Sequence, residues 1–148
     1  MKVSLLLADA AQADAQSGKV HALGLGWRQC QTPTPPFALV LFLDIDWDET
    51  NRPHKLTCQL LTTDGQPVIV PGPHGPQRIL FEAAAEAGRL PGAIHGTAVR
   101  MPFTLNIPAG IPLEPGIYEW RVEVEGFELA TAVEAFVVAG GAHPPMSS

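Results

Sequence analysis

The sequence predicts an all-β fold, an immunoglobulin-like or related antiparallel β-sandwich of about eight to ten strands. Short apolar runs recur roughly every ten to fifteen residues and are separated by clusters of Gly, Pro and Asp, a spacing typical of sandwiches and barrels. The continuous apolar run Phe37–Ile45 is typical of a strand buried on both faces. From Ile117 onward, apolar and charged residues alternate, which predicts a strand with one dry and one wet face, Trp120 lying on the dry one.

The remaining strands are predicted from short apolar or alternating runs. In chain order, the predicted strands are Lys2–Ala8, Lys19–Trp27, Phe37–Ile45, His54–Thr63, Gln66–Val70, Thr97–Ile107, the strand from Ile117, Phe127–Ala130 and Val133–Val138. Tight turns are expected at Asp64-Gly65 and Glu125-Gly126 because these dipeptides favour hairpins. Pro102 indicates that its strand lies at a sheet edge or carries a bulge.

Two stretches are harder to assign. Pro71–Pro76 reads PGPHGP and is predicted to be an extended loop rather than a strand interior, since proline donates no ladder hydrogen bond. The stretch Arg78–Ala85 can begin as a strand, while the alanines that follow predict one short helical turn near residues 82–88.

Composition indicates a globular protein and disfavours nucleic acid as a partner. The chain has 148 residues, of which 46% are hydrophobic and 16% charged, with a net charge of −6. Such a chain is long enough for one well-buried core, and it lacks the basic stripe that phosphate binding requires. We expect one domain over residues 1–140, followed by a polar tail over residues 141–148.

The cysteines and the hydropathy pattern indicate the cellular compartment in which the protein is expected. Cys30 and Cys58 have no CxxC spacing, so they are expected to be buried free thiols, or a disulfide if their strands are adjacent. The apolar stretch Val3 to Ala8 is shorter than a signal peptide needs, and no run reaches the roughly 20 residues that span a bilayer. We therefore expect a cytoplasmic or virion-associated protein without a membrane partner.

No motif in the sequence indicates catalysis, and we expect no enzyme, no cofactor and no metal. The four serines lie outside any nucleophile elbow, and the five histidines show no ligand spacing. Gly24-Leu25-Gly26 lacks the third glycine of a dinucleotide-binding loop. These two glycines are better explained by a sheet bend or a close backbone approach beside Trp27.

An acidic stretch, Asp44 to Glu49, offers the alternative hypothesis of a ligand-binding or hydrolytic site. Alternate residues of a strand point to one face about 7 Å apart, a separation that two hydrolytic carboxylates can use. Asp44, Asp46 and Asp48 are therefore candidates for a small-molecule or carbohydrate-binding site or a hydrolase. Glu49 and Lys55 occupy the positions where a calcium loop needs glycine and a bidentate acid, so the EF-hand pattern fails. The structural interpretation is a solvated strand end that runs into a turn.

The same stretch supplies the candidates for a protein interface. Trp47 stands among acids, and exposed aromatic residues often anchor interfaces. The predicted interface residues are Trp47, Asp48, Glu49, Asn51, Arg52, His54 and, in a separate loop tip, His74.

Two groups of residues resemble known families. The first group consists of Leu6 to Ala10 with Gly18-Lys19 and Gly24, and of Trp47 to His54 with Leu60 and Asp64-Gly65. It resembles an uncharacterised family of small bacterial and phage-encoded proteins. Leu113 to Tyr118 with Val124 to Gly126 resembles the last hairpin of immunoglobulin-like domains. The resemblance implies a β-sandwich and a role in assembly or binding, and it assigns no catalytic residue.

The leading hypothesis is a non-enzymatic structural or binding module that acts through protein–protein contacts. It includes a role in a phage virion, as a capsid decoration or minor tail protein. The expected partner is a protein, either a second copy of the chain or a capsid or tail protein. A homo-oligomer is compatible with exposed strand edges.

Overall fold

The computed structural model describes residues 1–140, and the predicted tail at 141–148 lies outside the described residues. Within that range the chain forms twelve strands and one 3₁₀ turn, Trp47–Glu49. The strands are β1 (Lys2–Ala8), β2 (Ala10–Asp14), β3 (Lys19–Leu23), β4 (Gln29–Gln31), β5 (Phe37–Ile45), β6 (His54–Thr62), β7 (Ile69–Gly72), β8 (Gly75–Arg78), β9 (Leu80–Ala85), β10 (Val99–Ile107), β11 (Gly116–Val124) and β12 (Phe127–Ala139). The all-β prediction is confirmed, and the arrangement is consistent with a β-sandwich.

Two larger sheets supply the layers. One sheet has three strands in the order β1-β5-β10, and the other has five in the order β4-β12-β11-β6-β9. Neighbours in both sheets are antiparallel except β4, which pairs in parallel with β12. β10 is an edge strand, as Pro102 predicts.

The core lies between the inner faces of these sheets. Trp120 on β11 is completely buried, and its ring contacts Phe37 of β5 and Phe81 of β9 at centroid distances of 6.1 Å. The burial of both Trp120 and the run Phe37–Ile45 follows the sequence patterns. The apolar side chains of both sheets therefore supply the main burial free energy of the fold.

A hairpin explains why β5 is apolar on its second face. β2 and β3 pair with each other and pack on the outside of the three-stranded sheet, where Ala11 and Val20 meet Ala38 and Val40. The Asn106 side chain joins this hairpin to β10, since its amide accepts from the Ala11 N–H and donates to the Ala11 carbonyl. One small apolar layer thus covers the outer face of β5.

The glycines beside Trp27 allow a close approach, as predicted. Gly24 has a φ of +62°, and a side chain there would collide with the Asp9 carboxylate. The same bend brings the Trp27 indole N–H to the Ala8 carbonyl at 2.9 Å.

Three sequence predictions are wrong in detail. The helical turn expected near 82–88 is absent from the described chain, because Ala83 and Ala85 pair with Leu56 and His54 on β6. An available sheet edge outweighs the helical propensity of alanine. The last two predicted strands form the single strand β12, with a register shift opposite Glu123 and Val124.

The third error concerns the proline-rich stretch, which forms the hairpin β7–β8. Gly72 pairs with Gly75 around the two-residue turn Pro73-His74, and Pro71 pairs with Pro76. In a hairpin with a two-residue turn, the pair next to the turn is hydrogen-bonded and the following pair is not. Pro71 and Pro76 form that following pair, so they lose no ladder hydrogen bond.

The two cysteines are free. β4, which carries Cys30, and β6, which carries Cys58, are separated in the sheet by β12 and β11. The condition set for a disulfide, adjacent strands, is therefore not met.

Candidate interface at the loop end

Two connections meet at one end of the sandwich and contain most of the predicted interface residues. The acidic turn, residues 46–53, joins β5 to β6. The crossover segment, residues 86–98, joins β9 to β10 and so passes from one sheet to the other. We call these two connections together the loop end.

Arg89 of the crossover segment holds Trp47 of the acidic turn. Its guanidinium carbon lies 4.0 Å from the centroid of the Trp47 ring, within the range of a cation–π contact. The same guanidinium donates to the Trp47 carbonyl oxygen at 2.6 Å and to the Thr50 hydroxyl at 2.9 Å. A planar group with several fixed donors suits this combination of ring stacking and forked hydrogen bonding.

Two further contacts fasten the acidic turn to the crossover segment. The imidazole of His95 lies 4.7 Å from the Trp47 ring, measured between centroids. The Asn51 backbone N–H donates to the Ala87 carbonyl at 2.7 Å, and Asn51 adopts a φ of +63°, a conformation that asparagine tolerates better than most residues. Trp47 is consequently half-buried and acts as the packing surface for the segment.

His54 belongs to the interior of this end. Only 5% of its surface is exposed, and its ring packs against Phe127. Nε2 lies 2.7 Å from the Glu49 carbonyl oxygen. Because a carbonyl only accepts, Nε2 carries the proton.

The exposed side chains of the loop end include both charged and apolar residues. Of the predicted interface residues, Asp48, Asn51 and Arg52 are exposed, whereas Glu49 is half-buried. On the crossover segment, Leu90 and Ile94 expose 75% and 76% of their surface. Backbone turns shape this segment, since the Ala93 N–H donates to the Leu90 carbonyl and the Thr97 N–H to the Ile94 carbonyl.

The exposed charges of the loop end include a small excess of acids. Together with the adjoining β11–β12 turn, its exposed acids are Asp46, Asp48, Glu86 and Glu125, and its exposed bases are Arg52 and Arg89. The Arg89 guanidinium keeps its charge, since its partners Trp47 and Thr50 are neutral, whereas the Asp46 carboxylate is paired with the Met1 amino group. A basic partner surface would therefore be attracted to this end.

The predicted acid cluster is divided among different contacts. Asp44 forms a bidentate pair with Arg100 of β10, at 2.7 and 3.0 Å. The Arg100 hydrogen bonds hold the pKa of the Asp44 carboxyl below its ordinary value, the reverse of what a general acid needs at neutral pH. The Asp46 carboxylate lies 2.6 Å from the Met1 amino nitrogen, and Asp48 is exposed.

His74 lies away from the loop end. It is exposed at the tip of the β7–β8 hairpin, which follows the Thr62 end of β6, whereas the acidic turn precedes the His54 end. The structure therefore brings six of the seven predicted interface residues to one end of the sandwich and places His74 elsewhere.

The sequence interpretation missed Arg89, Leu90, Ile94 and His95. They fall in a stretch without alternation or motif, and the Arg89–Trp47 contact joins residues 42 positions apart. One signal was present, since Leu90 and Ile94 stand on either side of Pro91-Gly92-Ala93, and the Pro-Gly dipeptide favours an exposed turn.

Other kinds of site find no support in the part of the chain that the structure describes. Across residues 1–140 there is no group of three His, Cys, Asp or Glu side chains placed to hold a metal ion. In the same range, no helix is both long and apolar enough to cross a bilayer.

The fold and the loop end define an all-β protein consistent with a β-sandwich, with an acidic and apolar surface at one end. Comparison with protein families then gives the particular assignment. Residues 3–133 match the model of a family of unknown function, DUF6941, so the chain belongs to that family. The comparison with curated proteins gave no match.

Proposed function

We propose that this protein is a non-catalytic binding module whose loop end docks onto another protein. One observation carries the proposal, the three-quarters exposure of both Leu90 and Ile94 on the crossover segment. Contiguous apolar surface exposed on a protein is typical of interaction sites, and Leu90 and Ile94 lie on the same loop.

The attachment of the crossover segment supports this interpretation. The segment is fastened at Arg89 to Trp47 and Thr50, and at Ala87 to Asn51. A loop that is held in place by a scaffold loses less conformational entropy on binding. Leu90 and Ile94 are thus presented by an anchored loop.

The charge of the loop end specifies the partner. In the loop end and the adjoining β11–β12 turn, exposed acids outnumber exposed bases by four to two, with one acid, Asp46, paired with Met1. The complementary surface is therefore an apolar patch with basic residues at its rim. A second copy of this chain has the same acidic rim and a net charge of −6, which disfavours self-docking through this end.

The alternative is a ligand-binding protein or hydrolase that uses Asp44, Asp46 and Asp48. Its support is weaker because Asp44 is engaged by Arg100 and Asp46 by Met1. The narrower role in a virion, as a capsid decoration or minor tail protein, stays a prediction from the sequence.

Site-specific photo-cross-linking in the organism that encodes the chain tests the proposal. A photoreactive phenylalanine analogue at position 94 is expected to give a discrete adduct with another protein. The matched control places the analogue at Leu25, which is half exposed near the opposite end, and is expected to give no such adduct.

The captured protein must then bind the purified chain in vitro. Equal adducts from both positions, or an adduct partner that does not bind when reconstituted, contradict docking through the loop end. An adduct formed only with a second copy of the chain contradicts the proposal that the partner is a different protein with a basic rim.

A further inference from the structure

The two long edges of the sandwich are closed differently. On one side β1 lies against β12 of the opposite sheet, and Leu7 of β1 is completely buried. On the other side β9 and β10 are edge strands of different sheets. We call the opening between β9 and β10 the seam.

Side chains that point inward along the seam remain partly exposed. Phe103 and Leu105 of β10 pair with Leu41 and Leu39 of β5 on the inner face, yet both are only partly buried. Phe81 of β9 and its cross-strand neighbour Cys58 on β6 are likewise partly buried. The core thus reaches solvent along this edge.

The seam opens into a cavity of about 360 Å³ between the sheets. This volume falls in the range of small-molecule sites. Its main inner lining is Leu41, Leu56, Cys58, Phe81, Phe103 and Leu105.

We propose that this cavity binds a small, uncharged, apolar molecule, such as an alkyl chain or an aromatic ring system, which enters between β9 and β10. The lining offers dispersion contacts and apolar burial from both sheets. Glu82 and Thr104 are the polar side chains that contribute to its wall, and the Glu82 carboxylate already lies 3.6 Å from Lys55 Nζ. An anionic ligand would meet this carboxylate, so an uncharged one fits better.

Cys58 adds to the apolar character of the cavity. Burial raises the pKa of its thiol to about 12, so the group stays neutral at physiological pH and behaves as a small apolar side chain. An inserted strand from another protein is a poorer occupant, because Pro102 interrupts the row of N–H donors along β10.

Fluorescence titration with N-phenyl-1-naphthylamine, an uncharged apolar probe, tests the proposal. The wild-type protein is expected to bind one probe saturably with a blue-shifted emission. Ala83→Leu fills the cavity from β9 and should weaken binding at least tenfold. Ala84→Leu is the matched control, because residue 84 lies on the opposite face of the same strand, and it should change the affinity less than twofold.

A second variant, Cys58→Leu, fills the same space from β6 and should also weaken binding at least tenfold, so the test does not depend on one variant folding. Methyl NMR of the wild type should show contacts between the probe and Leu56 or Leu105. Absence of saturable binding, or equal affinities for wild type and both filled variants, overturns the proposal. A wild-type dimer that Ala83→Leu abolishes also overturns it, because the occupant is then a strand of a second copy.

Discussion

The acidic turn and the crossover segment lie against each other and use their residues in opposite ways. The turn contains an aromatic residue, several acids and a histidine, the residue types usually associated with a site. Several of these side chains make contacts within the protein, since Trp47 is covered by Arg89 and His54 is buried. The crossover segment has no motif, yet it exposes Leu90 and Ile94. The acidic turn therefore serves as the scaffold, and the crossover segment supplies the exposed apolar surface.

This difference predicts that substitutions in the turn reduce stability, whereas substitutions at the tips of the segment reduce binding. The largest effect is expected for Trp47→Ala. It removes the stacking surface for Arg89 and His95 and should cost about 2–3 kcal/mol of unfolding free energy, below the range for a fully buried tryptophan. Urea unfolding measures the loss. Trp47→Phe keeps a ring face and should cost less than half as much, and equal losses would contradict the stacking role.

Arg89→Gln should have the next largest effect, about 1–2 kcal/mol. The substitution removes the guanidinium from the Trp47 ring and its hydrogen bonds to the Trp47 carbonyl and the Thr50 hydroxyl. Hydrogen exchange should accelerate at the backbone N–H of Asn51, which donates across to the segment. Arg52→Gln is the control from the exposed turn, and equal acceleration there would argue against the clamp.

A pH effect is expected where β5 enters the acidic turn. The Arg100 hydrogen bonds lower the pKa of the Asp44 carboxyl, so this pair contributes stability above the pKa of the unfolded carboxyl. That stability is lost as the pH falls through the lowered folded value. Carboxyl ¹³C NMR should show the Asp44 pKa rising in Arg100→Gln. An unchanged Asp44 pKa would show that the bidentate pair does not persist in solution.

The smallest effect on stability is expected for the Leu90→Asp/Ile94→Asp double variant. Both side chains are largely exposed, and surface substitutions away from packed features usually change unfolding free energy by no more than about 0.5 kcal/mol each. Thermal unfolding checks this. A loss comparable to that of Trp47→Ala would mean that the two side chains pack within the protein and are not free for a partner.

Strong periodic patterns predicted the fold well. The bounds Phe37–Ile45 and Lys2–Ala8 agree with the structure, and the alternation after Ile117 correctly buried Trp120. β2 was missed because Ala10–Asp14 is rich in small residues, and β4 because it has three residues. β4 depends on β12, a strand distant in sequence, for its pairing, whereas β2 pairs with the adjacent strand β3.

The loop end was predictable only in part. The acidic turn stands out in the sequence by its composition, but Trp47 is half-buried because of Arg89, a contact that no local pattern encodes. The sequence predicts an accessible, polar His54, but in the structure Phe127 of β12 packs against its ring. Burial of a turn residue depends on which distant element covers it.

Calorimetric titration of the reconstituted partner tests the central claim most directly. Three proteins are compared: the wild type, Leu90→Asp/Ile94→Asp, and Leu23→Asp/Leu25→Asp, which changes an exposed aliphatic pair near the other end. Docking through the loop end predicts at least a tenfold weaker affinity for the first double variant, from lost apolar contact and from the cost of burying carboxylates against an apolar patch. It predicts an unchanged affinity for the second. Equal affinities for all three proteins would contradict it.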